Sequence, residues 1–355
     1  VLAQTPPPHH GQSAMVQTLV EGLPQIAPNV EVHHVNLSLS GSAADIGRWQ
    51  PGKLWSAWRA ARRAIAVARR HGCDALYYVP APGKRIALWR DIFILSQVRP
   101  VIPKLILHWH ASGLGQWLET SATALERRLA HDVLDRADLS IVLAPSLQAD
   151  ANRFRPQSVA IIPNGIADPF ANGTPLARRA PAADRINVLF VGLGNAAKGL
   201  FTTLEAIATG PASLHLTFAG NFETPADATR FRELAAPLGD RVRHLGFVSG
   251  LAKTQLFRDS HVLAFPTQYA HEAFPLVLLE ALAADLPIVT TRWRAIPELL
   301  PQNYPYFVDP FAPRLLAAAL VNAATTPEAT HRLRLHFLAH FTRENFLYRV
   351  ADTVR

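Results

Sequence analysis

Cysteine is nearly absent from this chain, with Cys73 alone among 355 residues. No internal disulfide can form, and a lone thiol fits a reducing compartment. No uncharged apolar run reaches the roughly 20 residues that cross a bilayer, and no secretory signal is recognisable. Repeats, low-complexity tracts and D-x-D carboxylate pairs are missing as well. Methionine occurs once, at Met15, and the chain opens directly on VLAQTPPP, so the first strand is expected to be trimmed at its start. Charged residues are 17% against 49% hydrophobic ones, which excludes a disordered chain. This length suits two domains with substantial cores.

What is present alternates between short apolar runs and helical patterns, the signature of parallel α/β sheets. A strand end at 1–4 leads through a Pro-rich loop into a helix from about Gln12 to Leu23. Further strands are expected near 30–35, 74–79, 104–109, 139–143 and 159–162. INVLFVG (186–192) restarts the pattern. Between the halves, 164–184 is rich in Pro, Gly, Ala and Asn without periodicity, and reads as a linker.

The stretch Tyr269–Pro297, YAHEAFPLVLLEALAADLPIVTTRWRAIP, carries the strongest functional signal. Glu272 lies on a loop after the apolar run HVLAFPT (261–267), and Glu280 lies about one turn inside a helix. Pro275 suits the first helical position, where its missing N–H costs nothing. A carboxylate accepts hydrogen bonds from paired hydroxyls, and helix-start N–H groups hold anions. The loop sits at the carboxyl end of a strand, where α/β sheets bind ligands. Together these features suit a phosphorylated sugar. The segment closely resembles the E-x7-E signature of retaining GT-B glycosyltransferases, the family-4 group especially.

VGLGNAAKGL (191–200) admits two readings. Gly192, Gly194 and Ala197 fit G-x-G-x-x-A, a dinucleotide fingerprint, directly after a strand. That reading needs an acid closing the next strand, and LHLTFAG (214–220) ends in Ala219 and Gly220 instead. The glycosyltransferase resemblance aligns the loop with G-R-L-S-P-E-K-G, which implies that Lys198 meets the donor diphosphate while Leu193 stands where the family has Arg.

Other blocks resemble the family in the same order: IIPNGI (161–166), LTFAGN (216–221), VRHLGFVS (242–249) and AIPELL (295–300). PPPHHGQSAMVQTLVEGL (6–23) resembles its opening P-P-x-x-G-G loop, with His10 at the first Gly position and Gly11 at the second. KLILHWHASG (104–113) places His108 and His110 two apart on one strand face. A metal would need a third ligand, and none stands at a recognisable spacing. The family's H-x-S turn corresponds to His110-Ala111-Ser112, which implies a catalytic-site role for His110 and leaves His108 as a strand histidine.

Formal charge is +8 with pI near 10.0. KLWSAWRAARRAIAVARRHG (53–72) places Leu54, Trp58, Ala61, Ile65 and Ala68 on one helical stripe. Arg59, Arg62, Arg63, Arg69 and Arg70 share a neighbouring arc with Trp55. Such a helix could meet an anionic membrane or simply be solvated on its basic side. No recognition motif argues for nucleic acid.

The resemblance therefore implies an α/β GT-B protein, two Rossmann-like domains facing each other across a cleft. Its domains are expected at 1–163 (acceptor side) and 185–340 (nucleotide sugar), with a linker at 164–184 and a C-terminal helix at 341–355 returning toward the first. It implies a retaining, metal-independent glycosyltransferase without cofactor, in polysaccharide or glycolipid synthesis. The donor would be a nucleotide-diphosphate sugar and the acceptor a glycan or lipid-linked hydroxyl. His110, Glu272 and Lys198 are the expected catalytic group. Gly11, Gly192, Lys198, Phe247, Ala273, Phe274, Pro275, Leu276 and Glu280 are the expected donor contacts, with Glu280 on the ribose and Phe247 near the base. The protein would be cytoplasmic, on the inner membrane face if the 53–70 helix binds lipid. Two alternatives stay open: a catalytically impaired nucleotide-sugar-binding protein and an NAD oxidoreductase.

Overall fold

Short apolar runs such as KLILHW, LSIV, INVLFV and VLAF form strands covered on both faces, the state in which parallel sheets occur. The computed structural model describes residues 1–8, 10–37, 51–171, 181–182, 184–326 and 331–354. Of the linker read over 164–184, residues 172–180 and 183 lie outside the described residues. The chain divides into two units. One comprises Val1–Gly165, His271–Phe274 and Arg343–Arg355, the other Ile166–Ala270 and Pro275–Thr342.

The first unit runs β1 (Leu2–Ala3), α1 (Gly11–Ile26), β2 (Val35–Asn36), α2 (Pro51–His71), β3 (Ala75–Tyr78), α3 (Arg85–Val98), β4 (Lys104–Trp109), α4 (Leu114–Thr120), α5 (Ala124–Leu134), β5 (Leu139–Val142), α6 (Gln148–Asn152) and β6 (Val159–Ile161). Its six-stranded sheet has the order β2-β1-β3-β4-β5-β6, every pair parallel. The second unit runs β7 (Ile186–Val191), α7 (Leu200–Thr209), β8 (Leu214–Ala219), α8 (Pro225–Ala235), β9 (Val242–His244), α9 (Gly250–Asp259), β10 (Val262–Phe265), α10 (Leu276–Ala283), β11 (Ile288–Thr290), α11 (Ile296–Leu299), α12 (Pro313–Thr325) and α13 (His331–His340). Its sheet is β11-β10-β7-β8-β9, again all parallel. A further helix, α14 (Arg343–Val354), belongs to the first unit and buries Phe346, Leu347, Val350 and Ala351. It packs on α1, where Gly22 leaves room for Leu347.

Two local expectations need correction. Pro275 is not the first helical residue; its backbone is extended (φ −70, ψ 116), so it caps α10 from outside and Leu276 begins the helix. Trp58 does not join the buried stripe of α2. Ala57, Ala60, Ala61, Ala64, Ile65 and Ala68 face inward, because small side chains let the helix lie close to its neighbours. Trp58 stays 39% exposed and stacks on Trp55, ring centroids 4.7 Å apart. The Leu54 side chain lies outside the described part of this helix.

Two glycines position the loop after β7. Gly199 precedes α7 as its N-cap in the left-handed region (φ +85), and a Cβ there would be driven into the Pro266 carbonyl oxygen. Gly220, after β8, has the Gly192 carbonyl where a Cβ would lie. Backbone therefore meets backbone at the strand ends, an approach open only to glycine. Gly199→Ala is expected to cost more than about 1 kcal/mol from the left-handed conformation alone, with the clash added. Urea unfolding of the variant against the wild type measures the loss.

Candidate active site

In the first unit the expected residues gather on loops that leave strand carboxyl ends. The loop after β1 brings His10, which caps α1: its Nδ1 accepts from the Ser13 N–H (3.2 Å), and the His10 N–H donates to Ser13 Oγ (3.1 Å). The residue at the family's first Gly position is thus a helix cap, and Gly11 is the first residue of the helix. β4 ends at Trp109, and His110 comes next, half-buried with Nε2 shielded from solvent and without a partner among the described residues. Burial pushes the His110 pKa down to about 3, with the nearby His10 adding to the effect. The ring is consequently a neutral imidazole at physiological pH, able to donate or accept one hydrogen bond without carrying charge.

His108 lies fully buried one strand residue before Trp109, its ring centroid 4.1 Å from that of His110. Its Nδ1 pairs with the Tyr77 hydroxyl, and burial holds its pKa well below the usual range. Ser112 is buried and its Oγ donates to the Glu272 carbonyl (3.2 Å), while Asn164 Nδ2 reaches the Phe274 carbonyl (3.5 Å). These contacts bring Glu272, Ala273 and Phe274, all buried, into the first unit beside the H-x-S turn.

In the second unit, Gly192 (φ +147) turns the chain out of β7. Asn195 is buried and organises the rest of this loop. Its Oδ1 accepts from the Lys198 N–H (2.7 Å), and its Nδ2 donates to Glu223 (2.7 Å). The Gln268 N–H donates to the Ala197 carbonyl (2.8 Å), tying the loop to the end of β10. Lys198 Nζ stands 4.7 Å from the Tyr269 ring centroid and 5.7 Å from that of Phe265, a cation held over aromatic faces. Phe247, expected near the base, is 58% exposed on the loop between β9 and α9.

Glu280 occupies the second turn of α10 as expected, but it has a partner that sequence spacing did not single out. Lys253 on α9 places Nζ 2.6 Å from Glu280 Oε1, both side chains being mostly buried. The other oxygen, Oε2, is shielded from solvent and lacks a hydrogen bond among the described residues. Burial raises the Glu280 pKa, and Lys253 opposes that rise. One oxygen is thereby fixed by an ammonium and the other left to accept. Lys253 lies 27 positions before Glu280, on a different helix. Only the fold reveals the pair.

Residues 185–326 match the family model of glycosyl transferases group 1. This segment is a group 1 glycosyltransferase domain. It holds Lys198, Lys253 and Glu280, together with the backbone turn at Gly192. Among solved structures, the chain is similar to sucrose-phosphate synthase from Thermosynechococcus elongatus, with TM-score 0.73, 20% identity, and coverage of 100% of this chain and 98% of that one. It is also similar to Anabaena HepE in complex with UDP-glucose (TM-score 0.70, 15% identity, 99% and 98% covered). The lipopolysaccharide outer core galactosyltransferase WaaB is a third neighbour (TM-score 0.69, 12% identity, 99% and 98% covered). No curated protein matches the chain in sequence. The two parallel-sheet α/β units have the GT-B fold of these neighbours, as the sequence led us to expect.

The buried imidazole gives a pH signature. The folded state keeps His110 neutral down to about pH 3, whereas an unfolded chain takes up the proton near 6.5. Acid therefore favours unfolding, and this group's contribution, full above 6.5, is lost progressively as pH falls toward 3. His110→Asn is expected to flatten the stability–pH slope in that window by up to about 1.4 kcal/mol per pH unit. Urea unfolding of both proteins at pH 7 and pH 5 measures the difference.

Proposed function

We propose that the protein is a retaining, family-4-like glycosyltransferase that moves a sugar from a uridine diphosphate donor to a hydroxyl acceptor. The observation that carries this reading is the loop from Gly192 to Lys198 together with Glu280, within one group 1 glycosyltransferase domain. A lysine whose loop is fixed by Asn195, and a carboxylate with one accepting oxygen left over, suit a diphosphate and a ribose respectively. The HepE complexes with UDP and UDP-glucose support uridine as the base. Dinucleotide binding loses ground, since β8 ends in Ala219 without the acid that would hold a second ribose.

In the proposed reaction the anomeric C–O bond to the diphosphate breaks through an oxocarbenium-like transition state. The acceptor oxygen attaches on the same face, and its proton passes to the departing phosphate oxygen. Charge grows on the diphosphate as it leaves, so a preorganised cation is worth most there. Lys198 supplies it, and no metal or cofactor enters. Glu280 holds the ribose. Glu272, with the N–H groups of Ala273, Phe274 and Leu276, holds the sugar hydroxyls, and neutral His110 donates to the sugar or its phosphate.

Incubation with a panel of UDP-sugars, GDP-sugars and NAD tests this reading. Release of UDP, with Lys198→Ala weakening UDP binding far more than uridine binding, is the expected result. Binding without release would make the protein an impaired sugar-nucleotide binder, and affinity for NAD alone would make it an oxidoreductase. Loss of a charged hydrogen bond should cost roughly 1.5–3 kcal/mol of UDP affinity.

Polysaccharide or glycolipid synthesis on the cytoplasmic face of a membrane is the setting we propose. The face of α2 supports it: Arg59, Arg62, Arg63, Arg69 and Arg70 are exposed beside the stacked Trp55 and Trp58. Each arginine near anionic lipid could contribute about 1 kcal/mol, declining with salt, and the indoles suit the headgroup region. No helix among the described residues is long and apolar enough to cross a membrane. In vesicle sedimentation, binding should require anionic lipid and weaken with salt. It should fall when Arg59, Arg62 and Arg63 become Glu; indifference of the wild type to anionic vesicles at low salt would point to a soluble acceptor.

A further inference from the structure

The first unit carries a second cluster of ligating side chains, away from the strand ends that hold His10 and His110. Glu31 and His33 precede the edge strand β2, and His71 is the last residue of α2. Their ligating atoms all lie within 4.8 Å of one another. His33 Nε2 is 3.0 Å from Glu31 Oε1, and the His33 and His71 rings stand 3.9 Å apart at 34°. The cluster lies where β2 begins and α2 ends. In a parallel sheet the helices end at the edge where strands start, so this is the edge opposite the candidate active site.

We propose that Glu31, His33 and His71 form a binding site for a divalent transition metal, zinc in the first instance. Two imidazole nitrogens and one carboxylate oxygen are a borderline-soft donor set that Zn²⁺ accepts in tetrahedral geometry, at about 2.0–2.2 Å from each atom. Such bonds put neighbouring ligand atoms roughly 3.3–3.6 Å apart. Atoms already within 4.8 Å need only small side-chain rotations to meet that spacing. Glu31 and His71 are exposed, so an ion has access and a fourth position remains for water. The partial negative charge at the carboxyl end of α2 favours a cation there. The ion would clip the end of this helix to the segment entering the edge strand, fastening the outermost part of the sheet. Its role is structural, and nothing in the proposed transfer depends on it.

The test uses tag-free protein stripped with a chelator and dialysed. ZnCl₂ is then titrated in by calorimetry, and thermal unfolding is followed with and without the ion. One Zn²⁺ per chain, with a rise in Tm, is the expected result. His71→Ala should weaken binding by more than roughly 10-fold, since loss of a group that merely orients a ligand already costs about that much. It should also remove the Tm rise while leaving the far-UV circular dichroism of the apo protein unchanged. Glu31→Gln, a mild surface change, provides a second variant whose folding is not in question, and it too should weaken binding. Equal zinc affinity in wild type and both variants would overturn the site. A thiolate-to-cobalt charge-transfer band in the Co²⁺ protein that disappears in Cys73→Ser would also overturn this ligand set.

Discussion

Parallel pairing governs everything else in both units. Two parallel strands cannot be joined by a tight turn; each connection must return across a sheet face, and here most connections do so through a helix. All strand carboxyl ends then open at one edge of each sheet. The residues that fold-independent chemistry would choose are the ones delivered there: His10 after β1, His110 and Ser112 after β4, Asn164 after β6, Lys198 after β7. Within each unit, no long-range attraction among side chains is needed to bring them to that edge. Backbone topology does it, and the side chains are left to set electrostatics.

Those electrostatics rest on burial without full satisfaction. The Nε2 atoms of His108 and His110, Asn164 Oδ1 and Glu280 Oε2 are shielded from water yet lack hydrogen bonds among the described residues. Buried polar atoms left in that state cost free energy, typically about 1–3 kcal/mol each. Of these, His110 and Asn164 stand on loops after strand ends, whereas His108 lies inside β4 and Glu280 inside α10. Within the second unit alone, a hydroxyl donated to Glu280 Oε2 would recover that cost as affinity. In the first unit His110 can accept or donate, and in the second Glu280 Oε2 can accept.

Much of the fold was legible from apolar runs and their spacing, since buried parallel strands announce themselves as short Val/Leu/Ile segments. Strands β3 to β8 fell where expected, within a residue or two. β1 and β2 are only two residues long; β1 falls within the strand end read at 1–4, but β2 covers only Val35–Asn36, the far end of the run expected near 30–35. Trp58 misled because helical periodicity ranks a position by angle, whereas the packing distance of α2 is set by its alanines. Pro275 misled by one position because proline suits both the cap and the first turn. Lys253 and the Glu31–His33–His71 group were invisible for one shared reason: their members meet only after separate segments of the chain have packed together, and no local spacing encodes that.

The chain leaves its first unit after Gly165, revisits it for His271–Phe274, and returns to it with Arg343–Arg355. The returning α14 packs on α1, so that helix is covered by one made more than 300 residues later. The first unit therefore cannot reach its final packing during synthesis, however early most of it is made. Its packing must wait for Arg343–Val354, and a chain stopped before Arg343 would leave the side of α1 at Gly22 without Leu347.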